Sequence, residues 1–367
     1  MSVLAAIAVL AVLIFVHELG HFVAARSQGI HVNRFSLGFG PVLLKYQGPE
    51  TEYAVRAFPL GGYVGFPDDD PDSTIEPDDP NLLRNRPVLD RAIVISAGVI
   101  ANLIFAYFLL VSQVGFVGIP EASQPGVLIP KLAPDMSMAA TKAGIKAGDV
   151  ILAADGTEFD TSVQNTPLLS EIIKKHPGEP IELKIKRGEQ NLNLTVVPED
   201  KSGSGSIGVA LSHNGKIERR SANSIVEAFS VGATQFQNII SQTVQGFGKL
   251  VTNFGQTAGQ VAGPVKIVKI GASIAQNDTG SLFFFAALIS INLAFINILP
   301  LPALDGGQLA FLLIEGVRGK PLPNRIQEGV MQTGLVLILG VGILLIVKET
   351  SQLEWVQKLF ESGTAKL

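Results

Sequence analysis

The sequence predicts a polytopic α-helical membrane protein: four transmembrane helices, with a folded α/β module inserted between the second and third. Three observations carry that fold class. Four runs are apolar over roughly the 20 residues that cross a hydrocarbon core. Of the 367 residues, 47% are hydrophobic and only 16% are charged, too apolar for an average soluble chain. Between residues 125 and 198 the pattern changes to short strand-like segments around one helix-like segment.

The first run, Ser2 to about Ala25, is apolar as far as His17. No basic segment precedes it and no small-x-small site clearly ends it, so it is expected to be a retained span and not a cleaved leader. An Arg/Ser-rich transit segment is not evident either, which favours a bacterial chain or a processed organellar one. Next, Ile30–Phe66 reads as a region of short strands. Val32–Leu37, Val42–Tyr46 and Tyr53–Phe58 are strand-like, with Gly38, Gly40, Pro41, Gly48, Pro49, Gly61 and Gly62 at the breaks. Such backbone is tolerated near a bilayer where protein buries it or where it lines a wet cavity. Pro67–Pro80 is acidic and Pro-rich, an exposed loop.

The second run extends from about Val88 to Gly118, with Ala92–Val111 at its heart. In the module, Gly126–Leu132, Val150–Ala154, Ile181–Lys186 and Leu192–Val197 are strand-like, and Thr161–Lys175 is a helix stopped by Pro177-Gly178. Lys201–Gly208 reads as a hinge, and 221–275 as amphipathic helix interrupted near Gly263-Pro264. The third run is Leu282–Leu299 and the fourth Gly329–Val347. The expected organisation is therefore 1–118 (two spans and the β region), 119–208 (the module), 209–280 (a helical linker) and 281–367 (two spans).

Basic residues set the orientation. Arg26, Arg84, Arg86 and Arg91 lie between the first and second spans, and Arg318, Lys320 and Arg325 between the third and fourth. Both connections should face the cytoplasm and the module the other side. A net charge of −4 and the lack of a basic aromatic patch give no case for nucleic-acid binding. With no cysteine in the chain, any metal site must use His, Asp or Glu.

Such a set exists. His17-Glu18-Leu19-Gly20-His21, at the end of the first span, is H-E-x-x-H. Positions i and i+4 share a helix face, so His17 and His21 can reach one Zn²⁺ ion, and Glu18 can act as general base on its water. Two His and a Glu inside an apolar helix are costly unless they have a task. A catalytic zinc needs a third protein ligand and an open position. His31 begins the strand region, and His176 and His213 belong to or adjoin the module. Asp305, in Asn297-Ile298-Leu299-Pro300-Leu301-Pro302-Ala303-Leu304-Asp305-Gly306-Gly307, is the better candidate, although an acid there could also cap the next helix. The first and third spans run in the same direction, so His17, His21 and Asp305 meet at similar depth. Asn292 and Asn297 could bind substrate backbone or the oxyanion, or simply another helix. Asn102, mid-span in the second helix, carries the same two readings.

These residues together resemble the site-2 protease family of intramembrane zinc metalloproteases, peptidase M50, with the bacterial RseP-type branch the nearest match. The resemblance covers nearly the whole chain. It implies regulated intramembrane proteolysis: single-span membrane proteins, pre-trimmed by another protease, are cut within the bilayer, with anti-sigma factors and remnant signal peptides as substrate types. It implies His17, His21 and Asp305 as zinc ligands, Glu18 as general acid/base, and Asn292 and Asn297 in substrate handling. The strands around Gly38-Phe39-Gly40 resemble the family's membrane-inserted β-hairpin, which would take an unwound substrate by strand addition. The run Ala143–Ile151 followed by Asp155-Gly156 resembles a bacterial PDZ domain, with a groove expected between Gly126–Leu132 and Thr161–Lys175. Some family members carry two PDZ modules in tandem; here one is legible. The expected location is a bacterial inner membrane or a thylakoid-type membrane. The competing reading is a catalytically silent membrane scaffold that binds peptides through its PDZ. A zinc transport site is disfavoured, because two broken apolar halves would be expected.

Overall fold

Four helices are long and apolar enough to cross a membrane in the computed structural model, which describes residues 2–70, 73–253, 255, 259 and 261–352. The chain divides into two compact units, Met1–Gln113 with Ile225–Leu367, and Val114–Ser224.

In the first unit, α1 (Ser2–Ser27) is apolar on every face until His17, as suits a membrane-spanning helix. Gly29, at φ +73°, ends it. The Gly29 and Ile30 amides turn back to the carbonyls of Arg26 and Ala25, the usual left-handed closure of a helix C-terminus.

Then come β1 (Arg34–Gln47) and β2 (Glu52–Gly65). Each is long enough to bend into two limbs, and together they make a four-limbed sheet. Arg34–Leu37 lies between Glu52–Val55, which runs parallel to it, and Gly62–Gly65, which runs antiparallel. Leu44–Gln47 closes the far side against Glu52–Val55. Gly61 and Gly62 therefore belong to a strand, where the sequence reading placed a break. Their lack of a side chain serves close packing: a Cβ on Gly62 would fall 2.8 Å from Glu18 Cγ, and one on Gly61 would overlap the Phe39 ring.

Helix α2 (Val88–Ser112), whose apolar stretch continues to Val117, follows. It packs against α1, α5 (Ile225–Thr252), α7 (Ser281–Ile298) and α8 (Asp305–Arg318). Small residues permit this, as expected of helices in lipid. A Cβ on Gly20 would meet Ala101 Cβ at 2.8 Å, and one on Gly232 would meet Val111 Cγ2 at 2.8 Å. Ala106, Leu110, Ile239, Ala287 and Ile291 form the buried seam where α2, α5 and α7 meet. Helix α6 (Pro264–Asn277) lies along α1. Glu349 caps it from α9 (Asn324–Ser351): its carboxylate accepts the Gly263 and Lys266 amides at 2.6 and 3.0 Å.

The second unit opens with β3 (Ile119–Ala122), β4 (Val127–Leu128), the short α3 (Ala139–Lys142), β5 (Val150–Ala154) and β6 (Thr157–Glu158). Then come α4 (Asn165–Lys175), β7 (Ile181–Arg187), β8 (Gln190–Val196), β9 (Glu199–Asp200), β10 (Gly205–Ser206), β11 (Ser212–His213) and β12 (Ile217–Arg220). The main sheet runs β11-β4-β5-β7-β8, with β6 paired to β5. Strand β7 alternates, with Ile181, Leu183 and Ile185 fully buried and the residues between them exposed. Those three pack with Leu169 and Ile173 of α4 in one core. Asp155-Gly156, with both φ angles positive, makes the two-residue turn between β5 and β6. Strand β12 pairs with β3 and β11 with β4, so 209–220 belongs to this unit and not to a linker beginning at 209. These strands are two to four residues long, too short to show a period in the sequence.

Arg187 braces this unit by donating to Asp149 through Nε and Nη2 at 2.7 and 2.8 Å. Burial pushes the Asp149 carboxyl up, but the Arg187 bonds and the Lys146 amide outweigh it and hold the group below the usual carboxylate range.

Candidate metal centre

The last three turns of α1 present His17 and His21 on one face, both half-buried or better, with Glu18 beside them. Across from them, α7 ends at Ile298 and the chain passes through Pro300 and Pro302, which cannot continue a helix. Ala303 then adopts a left-handed φ of +69° and the chain enters α8 at Asp305. Gly306 and Gly307 let that first turn lie on the loop's own carbonyls: a Cβ at either would overlap the oxygens of Leu299 or Leu301. The helix N-cap is Leu304, and no side chain caps it. The Asp305 carboxylate is thus not spent on capping. It faces α1.

Helix α8 is held in place by a partly buried ion pair. Glu315 accepts from both terminal nitrogens of Arg91 on α2, one of them at 3.0 Å.

Three atoms converge. His17 Nε2 lies 3.2 Å and His21 Nε2 3.4 Å from Asp305 Oδ2, and the two nitrogens are 3.3 Å apart. Asp305 Oδ2 is buried, yet neither contact has the geometry of a hydrogen bond. His21 Nδ1 sits 2.8 Å from the Val94 carbonyl, so its proton is there and Nε2 keeps a lone pair. Tetrahedral zinc with bonds of about 2.0–2.1 Å sets its ligand atoms about 3.3 Å apart. The triangle fits that ion, and His17, His21 and Asp305 form the His/Asp/Glu group suited to a metal among the described residues.

Around this triangle is a cavity of about 550 Å³, with Glu18, Asn297 and the Gly61–Val64 strand in its walls. The Asn297 amide nitrogen is 3.1 Å from His17 Nε2. Asn292 does not reach the cavity, and its amide donates to Leu288 one turn back. Gly38, Phe39 and Gly40 do not line it either. They form the bend of β1, with Phe39 over Gly61. Conversely, sequence reasoning missed the Gly61–Val64 edge and the α2 residue Gly98, where a Cβ would fall 2.7 Å from His17 Cε1.

The pattern of peptidase family M50 matches residues 5–341. The chain belongs to peptidase family M50. A Nostoc protein provisionally named a zinc metalloprotease is 75% identical over 365 residues, covering 98% of this chain and all of that one. The chloroplast membrane metalloprotease ARASP of Arabidopsis thaliana is 48% identical, over 98% of this chain and 80% of its own. Among solved structures, the PDZ domain of an SdrC-like protein from Listeria monocytogenes aligns with 23% of the chain at 27% identity and a TM-score of 0.20. This M50 member is a metalloprotease, its metal is zinc, and its apolar helices make it a membrane protein.

Proposed function

We propose that this protein hydrolyses peptide bonds of single-span membrane proteins within the bilayer, with His17, His21 and Asp305 holding the zinc. The observation that carries the reading is the ligand triangle itself. It is built at the end of an apolar membrane helix and closed by an acid from the broken end of another.

When bound, the zinc supplies Lewis acidity toward the scissile carbonyl and acidifies water. Glu18, in the cavity wall, takes the proton of the attacking water and passes it to the leaving amine. The Asn297 amide, 3.1 Å from His17 Nε2, is placed to donate to the oxygen that gains charge.

A helical substrate must unwind first, because its carbonyls are already bonded. The Gly62–Gly65 limb pairs with Arg34–Leu37 on one side only and lines the cavity, so it is the edge to which an unwound segment would add. Phe39 packs over Gly61 just before this limb, while Gly38 and Gly40 lie against Phe58, so these three residues would act through the bend of β1. Asn292 has a place in substrate handling only by family resemblance.

The basic connections put the zinc site toward the cytoplasm and the module on the opposite side. We read that module as a single PDZ-like domain. Its sheet edge beside α4 is β11 and not β4, with Thr166 Oγ1 3.2 Å from His213 Nδ1, so the peptide groove lies between β11 and α4. Substrates would be pre-trimmed by another protease, in a bacterial inner or thylakoid-type membrane. Expressing wild type and Glu18→Gln and comparing their membrane proteomes tests this. Uncut single-span stubs should accumulate in the variant, and identical stub profiles would overturn the reading.

A further inference from the structure

We propose that Asn102 is a positioning residue for the metal: its side-chain oxygen accepts the Nδ1 proton of His17 and so leaves Nε2 of that ring bare for zinc. This rests on the zinc-site reading above and deepens it.

Val94, Gly98 and Asn102 are spaced by four along α2 and share one face. That face serves both histidines. The Val94 carbonyl takes the His21 Nδ1 proton at 2.8 Å. Gly98 leaves room for both rings, since a Cβ there would fall 2.7 Å from Cε1 of each. Asn102, 0% exposed, places its amide 3.3 Å from His17 Nδ1. The His17 ring is therefore held at both ends, with Nε2 toward Asp305 and His21 and Nδ1 toward Asn102.

The protonation follows from the donor set. If Nε2 is to bind a cation, the single proton of the neutral ring is on Nδ1, and Nδ1 needs an acceptor. Asn102 offers one. With its amide nitrogen toward the ring, two donors would face each other across 3.3 Å. A half-turn of the amide exchanges its oxygen and nitrogen, which are nearly the same size and are assigned from the hydrogen-bond network. The turned amide gives Oδ1 the His17 proton. Ser290 fixes the residue from the other side. Its hydroxyl, also 0% exposed, donates to the Asn102 main-chain carbonyl at 2.9 Å, tying α2 to α7 at that turn. Acceptors of this kind typically change metal affinity by about 10–100-fold.

The test is zinc affinity of the purified full-length protein in detergent, read by competition with a chromogenic chelator. Asn102→Leu, and Asn102→Ala should the first not fold, are expected to weaken zinc binding by about 10–100-fold. Asn102→Asp keeps an acceptor at the same place and is expected to stay close to wild type. If Asn102 were only a helix–helix contact, the buried carboxylate would gain nothing from His17 and Asn102→Asp would do no better than Asn102→Leu. That result, or wild-type affinity in Asn102→Leu or Asn102→Ala, overturns the proposal. His17→Ala separates the two readings. If it too binds zinc normally, the zinc-site assignment fails; if it loses zinc while Asn102→Leu does not, only the role of Asn102 fails.

Discussion

Adding one methyl group at Gly98 should disable the metal centre without touching a ligand. A Cβ there would fall 2.7 Å from His17 Cε1 and 2.7 Å from His21 Cε1, and would overlap His21 Nε2. Carbon atoms pack at about 3.5–4.0 Å, so the rings or α2 must move by about 1 Å. The donor atoms now form a triangle with sides of 3.2 to 3.4 Å, matched to one small ion, and a displacement of that size in a reactive constellation costs about 100-fold in rate. The assay is cleavage of a fluorogenic single-span peptide in detergent, run beside zinc affinity on the same preparation. Gly340→Ala is the control, because nothing lies within 4 Å of a Cβ at that position of α9. Gly98→Ala with wild-type turnover and wild-type zinc affinity would refute the close approach of α2 to the two histidines.

Other outcomes are as definite. Glu18→Gln should retain zinc and lose about 100- to 10,000-fold in kcat, the usual span for a lost general base, measured with the same peptide. Breaking the Arg91–Glu315 pair with Glu315→Gln should release α8, leave an uncompensated cation against α2, and lower both zinc affinity and melting temperature. Chelation should abolish cleavage, and added Zn²⁺ should restore it. In the inserted unit, Asp149→Asn should cost about 2 kcal/mol through loss of a charge-assisted bidentate bond, read as faster amide exchange of β5 and β7 in the full chain. The sign of the pH dependence follows from the lowered carboxyl. The stabilisation is complete above the unfolded carboxylate value of about 3.9 and disappears as pH falls through the lower folded value. Exchange in Asp149→Asn should therefore lack the acid-induced rise expected of wild type.

The metal ligands were legible because their signals are local or costly. His17 and His21 are one helical turn apart, and Asp305 is an acid between apolar runs broken by prolines. Their convergence could be anticipated from matching depth in two spans of the same direction. The α2 face was not legible. Asn102 and Gly98 are ordinary membrane-helix residues until the rotation of α2 about its axis is known, and one sequence does not supply that rotation. Glycine misled in the sheet. Gly61 and Gly62 look like strand breakers, whereas here Gly62 lets backbone approach Glu18 and Gly61 makes room for the Phe39 ring. Asn292 and Asn297 differ by little more than one turn, and only the cavity separates their roles. In the inserted unit, the periodic β7 was found to within a residue, while β11 and β12 were too short to announce themselves.

Where the bond is cut is the most direct measurement. Purified wild type and Glu18→Gln, reconstituted with zinc in liposomes containing a pre-trimmed single-span substrate, would be compared by mass spectrometry of the products. The expected result is a cut inside the substrate's apolar segment, on its cytoplasmic side, seen with wild type and eliminated by Glu18→Gln or a chelator. Cleavage confined to the soluble flanks, or a cut within the span that persists in Glu18→Gln, would contradict intramembrane zinc hydrolysis at this site.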